Sequence, residues 1–361
     1  MDEVDRQALD AAWALVEARR APAQLCVISR GAVVLDRCLR TGPDRLFWAF
    51  SAGKPVTSVI VWRLVERGLL DLDDPLCRRW PEFVGGGKEE ITVRHVLQHR
   101  SGLPTAGSLL GDVFAMTDWE TSIRRLERAS CRYRPGSVPA YQFLSYGFLL
   151  GELVQRVTGQ TFTELVQLEV CGPAGLADTY AHLVDALLPR AQLMVRRGGG
   201  AVVGSWVNRR DVREAVIPAG GISTTAHDLA TFYAALLPDH APGTLLAPAT
   251  LAEATRPTTE TELDRFARLH IRWAQGFQLG GPRPGRMPIP LGATSSPRAF
   301  GHNGSHVCLG WADPDRGLAV GYVTAAMTRA DRDMAHMQQL SDAILAATRD
   351  RNHRQAPGRP S

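Results

Sequence analysis

Two residues near the start of this chain have the types and spacing that nucleophilic chemistry needs. Ser51 and Lys54 lie in the run Ser51-Ala52-Gly53-Lys54-Pro55. Residues three apart share one face of a helix and can hydrogen-bond. A helix start also offers unpaired backbone N–H groups and a dipole that favours a developing oxyanion. An ammonium beside a serine hydroxyl lowers the cost of alkoxide, and a desolvated neutral lysine can take the proton directly. Pro55 is tolerated only in a first turn, so it fixes the helix start just before it. Only two of the 41 Lys and Arg residues are lysines, Lys54 and Lys88, so a lysine at this spacing stands out. By itself the motif also reads as a capping serine beside a solvated lysine, and other residues must decide.

The elements that would position this pair can be read from periodicity. Asp5–Arg19 carries Leu9, Trp13, Leu15 and Val16 near helical spacing and predicts an amphipathic helix. Gln24–Ser29 and Ala32–Leu35, joined by Arg30-Gly31, predict a hairpin. Phe47–Phe50 is an apolar lead-in to a helix from Ser51 to near Gly68, with Val56, Val59, Ile60 and Leu64 on one face. Helices are also predicted from Thr92–Leu97, over Tyr146–Gly159, over Thr225–Leu236 and over Met334–Ala347. Ser101–Pro104, the glycine run Gly198–Gly200 and the Pro/Gly-rich Gly280–Pro297 read as loops. Pro104–Arg134 reads as an irregular insertion over a cleft. His306–Trp311 and Leu318–Thr324 read as strands, and the polar Asp350–Ser361 as a frayed tail. Strands at both chain ends with helices between them predict an α+β fold (an α/β sandwich): one antiparallel sheet with flanking helices, plus an all-helical lobe.

Composition removes several function classes. The 361 residues are 45% hydrophobic and 22% charged, which excludes a disordered, collagen-like or coiled-coil chain. A net charge of only +4 argues against nucleic acid as a partner. The six cysteines, Cys26, Cys38, Cys77, Cys131, Cys171 and Cys308, form no C-x-x-C pair and read as reduced thiols. No apolar run approaches the roughly 18 residues of a membrane span. The acidic start Met1-Asp2-Glu3-Val4-Asp5-Arg6 has no signal-like apolar run, and the expected compartment is the cytoplasm. Neither G-x-G-x-x-G nor G-x-x-x-x-G-K-[ST] occurs, so no organic cofactor or metal is expected.

Further stretches add to the Ser-x-x-Lys pair: Gly68-Leu69-Leu70-Asp71-Leu72-Asp73-Asp74-Pro75-Leu76, the run Ile91–Leu103 with Arg100-Ser101-Gly102-Leu103 at its end, and Tyr146-Gly147-Phe148-Leu149-Leu150-Gly151. In these residues, their order and their spacing the sequence resembles the class C β-lactamase-like serine hydrolases, from about Leu25 to Leu345. That family comprises β-lactamases, D-Ala-D-Ala peptidases, carboxylesterases and acyltransferases of natural-product pathways. The resemblance implies one β-lactamase/transpeptidase-like domain over residues 1–348, with its α/β part at about 1–75 and 215–348, its helical part at about 76–214, and a tail at 349–361.

The resemblance also implies roles. Tyr141-Gln142-Phe143 falls on the family's Tyr-x-Asn, which makes Tyr141 a general base with Lys54, provided nearby positive charge lowers its phenol. Phe143 departs from the asparagine and cannot make its hydrogen bonds to an amide, which favours an apolar site for an ester. Gly301-His302-Asn303-Gly304-Ser305 matches the His-x-Gly form of the third motif. His302 would orient substrate or tune the Tyr141–Lys54 pair, and Phe143, Asn303 and Gly304 would be substrate-binding, with Gly304 admitting close substrate approach. The N–H groups of Ser51 and Ser305 would form the oxyanion hole. Pro218-Ala219-Gly220-Gly221 would be a backbone element near the cleft. Trp119, Trp273 and Trp311 are either pocket or core, with core preferred.

The expected function is therefore a serine acyl-enzyme catalyst. It takes an acyl group from a small-molecule ester onto Ser51 and passes it to an amine or alcohol acceptor, or to water, in a role that suits antibiotic biosynthesis. Two alternatives use the same residues: a β-lactamase or D-Ala-D-Ala peptidase, and a non-catalytic binding protein on the same fold. Acceptor residues are expected in Pro104–Arg134 and Gly280–Pro297.

Overall fold

A computed structural model of the chain describes residues 4–195, 201–238 and 244–348. The glycine run Gly198–Gly200 and the tail Asp350–Ser361 lie outside these residues. Helix α1 (Arg6–Ala18) starts where the Asp5 carboxylate accepts the N–H groups of Gln7 and Ala8. Strands β1 (Ala23–Ser29) and β2 (Ala32–Leu39) form the predicted hairpin. Arg30 and Gly31 both take positive φ, 51° and 76°, the two-residue turn that suits strand twist. β2 continues past Leu35 to Leu39, because backbone pairing with β1 persists where the side chains become Asp36 and Arg37.

The remaining strands are β3 (Phe47–Trp48), β4 (Ser223–Thr224), β5 (Gln278–Leu279), β6 (Phe300–Gly304), β7 (Cys308–Asp313) and β8 (Leu318–Thr324). Six of these eight strands, counted among the described residues, make one antiparallel sheet in the order β2-β1-β8-β7-β6-β5, and β3 pairs with β4. The N-terminal hairpin joins the C-terminal strands through β1 and β8. Both of those strands are buried along their whole length, so both sheet faces are covered. On one face Leu25, Val27, Val320 and Tyr322 pack with Leu9 and Trp13 of α1 and Ile344 of the helix Ala330–Ala347. On the other, Cys26, Ile28 and Val323 join the core built on the helix Ala226–Ala234 and the helical lobe. Alternate residues of one strand thus serve two different cores.

The lobe holds α2 (Lys54–Glu66), α3 (Val93–Leu97), α4 (Leu109–Ala115), α5 (Trp119–Arg128) and α6 (Ser145–Thr158). The expected irregularity of Pro104–Arg134 is corrected here, since α4 and α5 both lie in it. In α5 the few apolar side chains, Trp119, Ile123 and Leu126, recur at helical spacing among charges, and Asp118 caps the first turn through the Thr121 N–H. His306 is a second correction. Ser305 and His306 both take positive φ, 44° and 61°, and make the turn between β6 and β7, so the strand begins at Cys308. All six cysteines are free thiols, with Cys26, Cys171 and Cys308 buried. Among the described residues no helix is long and apolar enough to cross a membrane.

Candidate active site

The chain reaches Ser51 through a strained step. Phe50, which is not glycine, holds φ at 50°, and a 3₁₀ turn over Phe50–Gly53 runs directly into α2. Side chains three apart eclipse in such a turn, which sets Ser51 above Lys54. Lys54 Nζ is 3.3 Å from Ser51 Oγ and donates to the carbonyls of Phe143 (2.8 Å) and Ala219 (3.1 Å). No carboxylate pairs with it among the described residues, and it is 1% exposed. Burial alone therefore pulls its ammonium down from 10.5 to about 7. Ala219 belongs to the Pro218–Gly221 stretch. Gly147 of α6 allows its approach, since a Cβ there would collide with the Ala219 N–H.

Tyr141 Oη donates to Ser51 Oγ at 2.6 Å. Its ring stacks on Trp273 with centroids 5.6 Å apart, and the Lys54 ammonium lies 4.9 Å from the ring centroid. Burial pushes the Tyr141 phenol up, opposed by its bond to Ser51. The general-base role that the resemblance implies for Tyr141 required nearby positive charge to lower the phenol; the Lys54 ammonium lies against the ring, but burial acts in the opposite direction. Two residues that the sequence did not single out hold the tyrosine. Buried Asp264 accepts the N–H groups of Tyr141, Phe266 and Ala267 and the Trp273 indole N–H. His99 lies against the rings of Tyr141 and Trp273, at 4.9 and 4.4 Å between centroids, and its Nδ1 accepts the Gln142 N–H.

β6 brings the third stretch alongside. A Cβ on Gly304 would collide with the Ala49 carbonyl and crowd the Ala52 N–H. The glycine therefore serves close approach of β6 to the turn carrying Ser51, not approach of a substrate, and it does not line the cavity. Neither the Ser51 nor the Ser305 N–H donates to another protein group among the described residues. His302 Nδ1 lies 2.7 Å from the Asn303 carbonyl, which can only accept, so Nδ1 carries the proton and Nε2 is a bare acceptor. Burial, then the nearby Lys54 charge, lowers the imidazole to about 3, and Nε2 is buried without a partner among the described residues. The His302 ring is 6.3 Å from that of Tyr141, and no hydrogen bond links it to Ser51, Lys54 or Tyr141. Asn303 is tied through its amide to Gln278 Oε1 at 2.9 Å.

These groups meet in a cavity of about 190 Å³. Ser51, Tyr141, His302, Asn303 and Ser305 line it on one side, and Phe143, Leu269, Ile271, Trp273 and Met334 make an apolar wall. Of the three tryptophans only Trp273 is there. Trp119 packs on Phe148 within the lobe, and Trp311 lies in the core on the opposite sheet face. Gly280–Pro297 contributes Arg283 and Pro290, whereas no residue of Pro104–Arg134 lines the cavity.

The fold thus brings a helix-start serine, a buried lysine, a tyrosine and the strand β6 together on an α+β frame. A family model described as Beta-lactamase matches residues 6–343, and the chain belongs to that family. Esterase/beta-lactamase LipL of Mycobacterium tuberculosis is 27% identical over 308 residues, 76% of this chain and 68% of that protein. Monacolin J acid methylbutanoyltransferase of Aspergillus terreus is 27% identical over 263 residues, 65% of this chain and 62% of that protein. A solved penicillin-binding protein homologue from Caulobacter crescentus superposes with a TM-score of 0.80 at 26% identity, covering 94% of this chain and 97% of that one. The chain is accordingly an enzyme of the serine esterase and acyltransferase kind.

Proposed function

We propose that Ser51 is acylated by a small-molecule ester and that the acyl group then passes to an amine or alcohol acceptor, with water as the competing acceptor. One observation carries this reading: a single hydroxyl, Ser51 Oγ, sits 2.6 Å from a neutral phenol and 3.3 Å from an amine that titrates near neutrality. The neutral Lys54 amine takes the Ser51 proton as Oγ attacks the ester carbonyl. The oxyanion forms between the Ser51 and Ser305 N–H groups, which have no other protein acceptor among the described residues. Collapse expels the alkoxide, which takes the Tyr141 phenolic proton, and the Lys54 ammonium restores the phenol. Deacylation runs the same transfers in reverse, with the acceptor's proton entering through Tyr141.

The apolar side chain at position 143 supports an ester over an amide donor, since Phe143 offers no amide to bind a peptide bond, and the amide of the nearby Asn303 is already held by Gln278. The acyltransferase name of one relative supports transfer to an acceptor. The test is intact-protein mass after brief exposure to p-nitrophenyl butyrate. A butyryl adduct on the wild type that is absent from Ser51→Ala is expected, with turnover accelerated by added amines or alcohols and nitrocefin left unhydrolysed. No adduct and no p-nitrophenol release would refute the reading. Rapid nitrocefin turnover would favour the β-lactamase alternative.

A further inference from the structure

One cavity-lining group has no part in the acyl chemistry. Arg283, on the loop 280–297, lines the same cavity as Ser51. It makes one hydrogen bond, from Nη2 to the Pro288 carbonyl at 2.5 Å, out of the five N–H donors a guanidinium carries. No carboxylate pairs with it among the described residues. Its neighbours differ: Arg272 is bound to Glu260 and Arg298 to Asp315. Among the described residues no aspartate or glutamate lines the cavity, and burial lowers both His302 and His306, the two imidazoles in the wall. The guanidinium is thus the one permanently charged group on a mostly apolar wall, partly withdrawn from water without a counter-charge. A cation so placed is stabilised by an anion that enters with the ligand, and a planar fork suits a carboxylate.

We propose that the cavity takes a small molecule bearing a free carboxylate, which Arg283 binds while the reacting carbonyl lies at Ser51. The carboxylate belongs either to the acyl part, as in a half-ester of a dicarboxylic acid, or to an amino-acid acceptor. The inference rests on the acyl-enzyme reading above. It goes beyond that reading by naming the substrate's charge.

The test compares p-nitrophenyl hydrogen glutarate with its neutral methyl-capped analogue, in wild type, Arg283→Met and Arg283→Lys. Wild type should prefer the anionic ester. Arg283→Met should lower kcat/KM for that ester about 10- to 100-fold, the range expected for losing one charge-assisted contact. The methyl-capped ester should be unaffected, and Arg283→Lys should fall between. A second arm measures partition of the butyryl-enzyme to glycine against glycinamide. A preference for glycine that Arg283→Met abolishes assigns the carboxylate to the acceptor. Unchanged ratios in both arms, or an equal loss on both esters that marks Arg283 as only a brace for Pro288, would overturn the proposal. Calorimetric binding of glutarate against dimethyl glutarate reads the subsite without turnover. Failure of acylation by p-nitrophenyl butyrate alone would instead sink the acyl-enzyme reading.

Discussion

Lys54 provides the sharpest test, because its burial has consequences for both stability and rate. In the folded chain its amine titrates near 7, against 10.5 when free. Between those values the unfolded chain binds more protons than the folded one, so stability rises with pH across the window. Linkage puts the cost of Lys54 at about 4 kcal/mol at pH 7 and at about 1 kcal/mol near pH ~9.5, a gain of ~3 kcal/mol. Lys54→Met keeps the volume and removes the titration, although it orphans the Phe143 and Ala219 carbonyls, a pH-independent loss of about 1–3 kcal/mol each. Tyr141, pushed up by burial, stays neutral throughout and drops out of the difference. The assay is urea unfolding of both proteins from about pH 7 to about pH 9.5, read as wild-type minus variant stability. We expect that difference to grow by ~3 kcal/mol. In parallel, kcat/KM for p-nitrophenyl butyrate should rise about tenfold per pH unit below about 7 and then level, because the free enzyme must hold Lys54 neutral. A flat stability difference, with the rate still climbing above about pH 9, would show that Lys54 keeps its ordinary proton. The proposed proton route would then be wrong.

Three further outcomes are expected. Tyr141→Phe removes the 2.6 Å bond to Ser51 Oγ and should lower kcat about 10²- to 10⁴-fold with little change in Tm, measured by p-nitrophenol release and thermal unfolding. Gly304→Ala drives a methyl into the Ala49 carbonyl and must push β6 from the Ser51 turn, costing about 1–3 kcal/mol by denaturant unfolding and about 100-fold in kcat. Asp264→Asn can keep the three backbone N–H bonds but sets an NH₂ or an orphan against the Trp273 indole. It should cost about 1–3 kcal/mol and lower kcat through Tyr141, with tryptophan emission reporting the change.

What could be read in advance followed the range over which each feature is determined. Arg30-Gly31 specifies its own turn, and Gly159 stops α6 at φ 72°, so the hairpin and that helix were legible from a few adjacent residues. Ser51 and Lys54 were legible for the same reason. α5 was not, because its apolar face is three side chains among charges and becomes a stripe only against Trp119's partner Phe148. His306 was misread because its β-like neighbours give no sign that Ser305 and His306 must both turn left-handed, a demand set by closing β6 onto β7. The site divides along the same line. The residues that touch the Ser51 hydroxyl lie in short stretches, but those that fix its electrostatics come from afar. Asp264 reaches Tyr141 across 123 positions, and Ala219 reaches Lys54 across 165. No spacing rule connects such residues. The proposed proton route turns on them: burial depresses the Lys54 amine and raises the Tyr141 phenol, which is why the proposal gives Lys54 the first proton and Tyr141 the relay.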